Sequence, residues 1–422
     1  MSPLSTSADF KSLLNYLYNL QRLGIKVGLQ HTHALLDRCD NPQKRFQSIH
    51  IAGTNGKGST CALIASILWE SGLKVGLYTS PHLIHFNERI RVNDQHISDD
   101  EIVQFVKKHK NDIDRIESTF FETTTVMAFH HFASQNVDVA VIETGLGGRL
   151  DSTNVLKPDI TVITPIALDH REILGQDILT IAGEKGGILK ENIPLILAPQ
   201  ETVVREYILQ ITGENSVPVH SVNSPQNIRL LEHGTEFDYK NKSYKTPLLG
   251  EHQALNTVVG IEVAKSFAPG LKKSVINSGL QKVKWPGRLQ RMSQEYPLYY
   301  DVAHNAHGLK SILETIDNVF HQKPVGLFVM KGDKEIDLVV QTLENQFHKL
   351  ILTGSKELGL LSGADLAQQL SNHGLKHFIV IDSLREALDQ ISGLAKKTGR
   401  PTLIFGSHYI AKEVFDKFGF LF

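Results

Sequence analysis

The octapeptide Gly53-Thr54-Asn55-Gly56-Lys57-Gly58-Ser59-Thr60 restricts this chain more than any other segment. The segment 45–52 that precedes it reads as a buried strand. Residues 59–71, stopped by Gly72, read as a helix. A glycine-rich loop between strand and helix lets backbone N–H groups approach phosphate oxygens, and the helix N-terminus favours anions. Lys57 adds a positive charge, and Ser59 or Thr60 offers a hydroxyl to Mg²⁺ or phosphate. The spacing departs from the GxxxxGKS/T pattern, because Gly58 separates Lys57 from Ser59.

The rest of the chain supplies the frame such a loop needs. Strand-like runs at 74–79, 137–143, 159–165 and 194–198 alternate with helical patterns at 99–110, 120–135 and 177–190. A hairpin is expected at 89–97 with Asn93-Asp94 as its turn, and another at 227–246 around Tyr239-Lys240-Asn241-Lys242. A helix at 251–266 closes this first unit. The chain breaks near Trp285-Pro286-Gly287-Arg288, and a second strand–helix series follows, with strands at 298–302, 325–330, 350–353, 377–381 and 402–405. The fold class is therefore α/β. A mainly parallel, P-loop-containing domain over 1–286 precedes a smaller, Rossmann-like, doubly wound domain over 287–422.

Composition excludes several classes. A net charge of -1 over 422 residues leaves no basic excess for a nucleic-acid partner. No apolar run is long enough for a membrane span, and the opening residues lack a signal-peptide pattern. The two cysteines, Cys39 and Cys61, suffice for neither a disulfide framework nor a Cys-rich zinc site. A reducing cytoplasm is the expected home. His31-Thr32-His33, His130-His131 and the run Lys107-Lys108-His109-Lys110 lack the partners of a metal or binding site and read as structural.

Two further strand ends carry chemistry. The run 139–143 ends in Glu143, and the ligand crevice of a parallel sheet lies at the carboxyl ends of its strands, where a carboxylate can hold Mg²⁺. Thr144-Gly145-Leu146-Gly147-Gly148-Arg149-Leu150-Asp151-Ser152-Thr153-Asn154 follows, with glycines that cost stability unless backbone must come close to something. A third strand ends near Asp169-His170, which places His170 at the same edge as a metal or phosphate contact.

Seven pieces occur in order: the phosphate loop; Ser80-Pro81-His82 with Phe86-Asn87-Glu88-Arg89-Ile90; the 143–154 segment; Asp169-His170; Glu184-Lys185; Pro286-Gly287-Arg288; and Asp301-Val302-Ala303-His304-Asn305. Together they span nearly the whole chain and resemble the dihydrofolate synthase/folylpolyglutamate synthase family, whose broader relatives are the Mur ligases. The resemblance implies ATP as co-substrate, two Mg²⁺ ions, and Ser80, Glu143 and His170 as metal ligands. Lys185 matches a lysine often carbamylated in this family, its carbamate helping to hold the second ion. Asn256, Arg288 and Asp301 match residues that hold ATP, and His304 one close to the transferred phosphoryl group. Ile25, Lys26 and Val27, Phe121, Glu122 and Thr123, and Leu150, Asp151 and Ser152 match positions near the pterin. Ser407, after Gly406, matches an element near the glutamate site. Ala306 stands where the family usually has proline, and Leu289 where phenylalanine is frequent.

The implied reaction is ATP-dependent addition of L-glutamate to dihydropteroate or a reduced folate through an acyl phosphate. Lys57, Lys185, Arg288 and His304 carry it, in a protein expected to act as a monomer. A Mur-type ligase needs a further domain ahead of the phosphate loop, and only 52 residues precede Gly53. A nucleotide switch would have no use for the Asp301/His304 set, and an inactive relative would not need Lys57, Glu143, His170, Lys185, Arg288 and Asp301. Extension of folate tails alone is the narrower alternative; the compactness of the chain favours the bifunctional form.

Overall fold

The computed structural model describes residues 7–24, 28–332 and 336–420. The chain divides into two compact units: residues up to Ser224 with Leu255–Val283, and Pro225–Ala254 with Lys284 onward.

The first unit is built on eight strands: β1 (Gln47–Ala52), β2 (Val75–Tyr78), β3 (Ile90–Val92), β4 (Gln95–His96), β5 (Val139–Glu143), β6 (Ile160–Ile163), β7 (Leu195–Leu197) and β8 (Val219–Ser221). Their order is β4-β3-β2-β5-β1-β6-β7-β8. The six strands from β2 to β8 in that order are parallel, and β3 and β4 add an antiparallel edge. Every residue of β2, β5 and β6 is buried, as strands covered by helices on both faces require. One face packs on helices Gln30–Arg38, Asp99–Ile116 and Phe120–Ser134 through Leu35, Ile102, Phe105, Phe129 and Phe132. Another core gathers Ile163 and Leu195 with Ile181, Val204 and Ile208, which lie on helices Ile178–Gly186 and Thr202–Glu214.

Local chemistry sets the helix starts. Ser98 and Glu101, then Thr119 and Glu122, form reciprocal capping boxes at Asp99–Ile116 and Phe120–Ser134. Asn93 takes the left-handed conformation (φ 55°) that the β3–β4 turn needs, where the sequence placed it.

The second unit holds a six-stranded sheet: β12 (Gln290–Arg291), β13 (Leu298–Asp301), β14 (Val325–Phe328), β15 (Lys349–Leu352), β16 (Phe378–Val380) and β17 (Thr402–Phe405), in the order β12-β13-β17-β14-β15-β16. All neighbours are parallel except β12 with β13. The 227–246 segment forms three antiparallel strands, β9 (Gln226–Leu231), β10 (Gly234–Tyr239) and β11 (Lys242–Thr246), with the β10–β11 turn at Lys240-Asn241 as expected. Its allegiance differs from the sequence boundary at 286/287. Leu230 and Leu249 join the core of Tyr299, Leu309, Ile312 and Phe405, while Glu232 meets Arg291 at 2.6 Å and accepts at its carbonyl from the Tyr299 hydroxyl at 3.3 Å. These contacts tie residues 225–254 to the later part of the chain, and the boundary falls inside the helix Glu251–Phe267.

Candidate active site

The parallel order β2-β5-β1-β6 sets four carboxyl ends side by side, with Tyr78 opposite Ile142, Ile51 opposite Glu143 and Ala52 opposite Ile163. The phosphate loop leaves β1 here. Gly53 and Gly56 have φ of 148° and 84°, and a Cβ on Gly56 would lie 2.3 Å from Asn256 Oδ1, so only glycine fits. The loop is tied to the end of β6. Thr54 and Asn55 N–H donate to Pro165 O at 3.0 and 3.2 Å, and the Thr54 hydroxyl donates to Ala167 O at 2.9 Å. Lys57 opens the helix Lys57–Glu70 and folds back to donate to the carbonyls of Gly53 and Thr54, both at 3.1 Å. Thr60 is fully buried, yet its Oγ1 has no hydrogen-bond partner among the described residues. An unsatisfied buried hydroxyl costs about 1–3 kcal/mol. The first turn of a phosphate-loop helix is where a bound phosphate or its cation would meet it.

Lys185 reaches the same loop from helix Ile178–Gly186. Its ammonium is buried and donates to Gly53 O at 2.8 Å. Burial, then the charge of Lys57, pushes its pKa from 10.5 down to about 7, against the pull of Asp169 and Asp151. The glycine-rich segment after β5 makes this placement possible. A Cβ on Gly148 would stand 2.8 Å from the carbonyl oxygens of both Glu184 and Lys185. Arg149 N–H donates to Glu184 O at 2.7 Å and its guanidinium pairs with the Glu184 carboxylate at 2.7 Å, so segment and helix are clamped together.

Of the expected metal ligands, the structure brings two together. Glu143 is buried at the end of β5 and accepts from Ser80 N–H at 3.1 Å. His170 lies beyond β6 on the same edge, more exposed, with Asp169 and Glu172 each 3.9 Å away. Among the described residues no cluster of three or more His, Cys, Asp or Glu is gathered for a metal. A buried carboxylate beside a serine, with the unsatisfied Thr60 hydroxyl on the loop, is a hard-oxygen donor set that suits Mg²⁺.

The positions matched to the pterin fall into two groups. Glu122 spends its carboxylate on the helix cap, accepting from Thr119 N–H at 2.7 Å, and the Thr123 hydroxyl donates to Ser118 Oγ at 3.0 Å. Buried Asp151 accepts from the N–H groups of Gly145 and Leu146, both at 2.8 Å, and from Thr153 N–H at 3.0 Å and the Thr153 hydroxyl. Burial raises its pKa against those bonds. Its carboxylate therefore shapes the loop. Ser152 is buried, whereas Phe121 and Leu150 are half-buried. Phe121 packs so close that a Cβ on Gly145 would sit 2.3 Å from its ring. Ile25, Lys26 and Val27 lie outside the described residues.

In the second unit, buried Asp301 accepts from Leu289 and Ala303 N–H, each at 2.7 Å, and so fixes the backbone just after Arg288 and just before His304. Burial raises its carboxyl pKa, and Arg288 opposes the rise. Arg288 donates to Gly287 O at 3.0 Å. His304 Nδ1 donates to Val302 O at 3.0 Å, which in the neutral ring leaves Nε2 as the acceptor. Asn305 caps the helix Ala306–Phe320 by accepting from Gly308 N–H at 2.8 Å, so the helix starts on schedule without the family's proline. Ser407 is buried; its hydroxyl accepts from Tyr409 N–H at 3.1 Å and its carbonyl from the Tyr300 hydroxyl at 2.8 Å. His252 was not anticipated: burial, then Arg288 and His307, lower its pKa to about 4. An isolated histidine in a helix start gives no sequence signal.

Residues 51–264 match the Mur ligase middle domain and 287–408 the Mur ligase glutamate ligase domain. The chain is 38% identical over 361 residues to a dihydrofolate synthase/folylpolyglutamate synthase of Bacillus subtilis, covering 81% of this chain and 84% of that one. It is similar to the folylpolyglutamate synthase of Mycobacterium tuberculosis, solved with ADP and AMPPCP, at a TM-score of 0.87 and 31% identity, covering 97% and 99% of the two chains. A bifunctional folylpolyglutamate synthase/dihydrofolate synthase solved with Mn, AMPPNP and L-glutamate matches at a TM-score of 0.83 and 27% identity, over 99% of each chain. With both domain models matched and such likeness over nearly its full length, the chain belongs to the dihydrofolate synthase/folylpolyglutamate synthase family of Mur-type ligases.

Proposed function

We propose that this protein is an ATP-dependent ligase that adds L-glutamate to the carboxylate of dihydropteroate and of reduced folates. The observation that carries the reading is the phosphate loop with Lys57 and buried Lys185 converging on Gly53, beside the Ser80–Glu143 pair.

A carboxylate is a poor acylating agent because its oxygen leaves reluctantly. In the first step its oxygen attacks the γ-phosphorus of ATP, the bond to the ADP oxygen breaks, and an acyl phosphate forms. The glutamate amine then attacks the acyl carbon, loses a proton, and phosphate departs from the tetrahedral intermediate. The residues place reactants and neutralise charge. Loop amides 53–60 and Lys57 hold phosphate oxygens, with Asn256 beside Gly56. Arg288, Asp301 and His304 act on the nucleotide and the transferred phosphoryl group. Phe121 and Leu150, half-buried, form apolar wall for the pterin, and Ser407 serves the glutamate.

Ser80, Glu143 and His170 would hold Mg²⁺, which when bound neutralises phosphate charge. The second ion needs an anionic ligand, and Lys185 supplies one if carbamylated: burial lowers its pKa to about 7 and so favours the unprotonated amine, the form that adds CO₂. The enzyme is taken here to act as a monomer. No helix among the described residues is long and apolar enough to cross a membrane. Lys57→Ala should remove product formation while circular dichroism and melting stay those of the wild type; turnover near normal would refute the assignment.

A further inference from the structure

Among the described residues, Arg89 is a buried cation near the candidate site to which the loop chemistry gives no role. It is 8% exposed, and its Nε donates to His82 Nδ1 at 2.7 Å. No acceptor among the described residues lies in hydrogen-bonding range of its two Nη groups, and no carboxylate within 4.0 Å of its nitrogens. Its sequence neighbour Glu88 favours the guanidinium's charge only through space, as does Glu143: the Glu88 carboxylate accepts from the N–H groups of Leu83 and Ile84 at 2.8 Å and of His85. His82 brings no neutralising charge either: it meets Arg89 as a hydrogen-bond acceptor, through Nδ1.

The walls are aromatic. The guanidinium carbon sits 5.3 Å from the centre of the Phe120 ring, which stacks on Tyr18 at 5.7 Å and meets Phe86 edge-on at 6.0 Å. Tyr18 Oη lies 3.5 Å from His82 Nε2. A cation–π contact gives back only part of what desolvating a guanidinium costs. A planar fork of free donors, fixed by its Nε bond and set among rings, is the arrangement that accepts a carboxylate with two parallel hydrogen bonds. The chain also ties it to the reaction centre: His82 is two residues beyond Ser80, whose N–H rests on Glu143.

We infer that Arg89 is a substrate-binding residue whose free Nη groups hold a carboxylate of the acyl-acceptor substrate between Tyr18, His82 and Phe120. The inference rests on the folate reading above, and it deepens that reading by naming the group that recognises the acceptor's charge. Dihydropteroate has one carboxylate, the reacting one; a reduced folate with one glutamate has two. The two sources separate by experiment.

The test is equilibrium binding of dihydropteroate, and of its neutral carboxamide, to wild type, Arg89→Gln and Arg89→Lys by fluorescence titration, with ATP binding and melting measured alongside. The wild type should prefer the carboxylate by roughly tenfold or more, as expected for one charge-assisted bidentate contact. Arg89→Gln should lose that preference, Arg89→Lys should keep part of it, and ATP affinity should stay within about twofold. If dihydropteroate shows no preference but tetrahydrofolate over its diamide does, again through Arg89, the guanidinium holds the glutamyl carboxylate, and the inference stands with that source. An undiminished preference in folded Arg89→Gln, or no preference by the wild type for either pair, would overturn it. Should Arg89→Gln fail to fold, the wild-type and Arg89→Lys titrations still decide. Binding of none of these compounds by the wild type would overturn the folate reading itself.

Discussion

Lys185 makes the stability of this protein depend on pH in a direction unusual for a lysine. In an unfolded chain its amine keeps the ordinary value of 10.5, and in the fold it falls to about 7. The fold thus disfavours the proton, and the unfolded chain binds more protons everywhere between those values. Below pH 7 the burial of the charged form is at its full cost. As pH rises from 7 towards 10.5 the fold sheds that cost, which in total is on the order of 5 kcal/mol. Between pH 6 and 8.5 the gain from this one group is about 2 kcal/mol, because the folded form has already released most of its proton. Lys185→Met keeps the apolar stem and removes the titration. Urea unfolding of both proteins in CO₂-depleted buffer at pH 6, 7, 7.75 and 8.5 gives the difference directly, since other groups titrate alike in the two. Wild-type stability should climb relative to the variant by about 2 kcal/mol over that range. A difference constant to within about 0.5 kcal/mol would refute the buried, depressed amine, and with it the free-base supply for a carbamate.

Two other substitutions separate building from binding. Glu122→Ala removes half of a capping box, so it should cost about 1 kcal/mol in denaturant unfolding while the KM for the acceptor changes less than about threefold. A tenfold rise in KM without loss of stability would instead make Glu122 a substrate contact. Gly145→Ala forces the Phe121 ring aside, since the added carbon would lie 2.3 Å from it. Steady-state kinetics should show the acceptor's KM rising roughly tenfold with the KM for ATP nearly unchanged, and equal effects on both would contradict a pterin wall at Phe121.

The sequence revealed most where one residue type answers one demand. Gly53 and Gly56 had to be a loop of unusual backbone, and Glu143 at the end of an unbroken apolar run had to stand at a sheet edge. The parallel strands were legible for the same reason, because burial on both faces leaves runs of apolar residues. The helix Gln30–Arg38 was not, because its His31, Thr32 and His33 blur the apolar period that Leu35 and Leu36 complete. Residues 225–254 looked like part of the first unit, since nothing local in a hairpin says which core it joins; Leu230 and Glu232 find their partners only in the fold. Asp151 shows the limit on the site itself. Resemblance places it near the pterin, but only the fold shows that its carboxylate takes four donors from its own loop. Arg89 is the converse: it stood in a motif without a role until burial exposed its missing partners.

The most direct test of the central claim is the mass of the products, with phosphate release, formed by purified protein from Mg-ATP and L-glutamate. Dihydropteroate is the acceptor in one reaction and tetrahydrofolate in the other. Dihydrofolate in the first and glutamate-extended folates in the second, each with one phosphate per bond formed, is the result predicted here. Products in the second alone would restrict the enzyme to tail extension, and none in either would contradict the account.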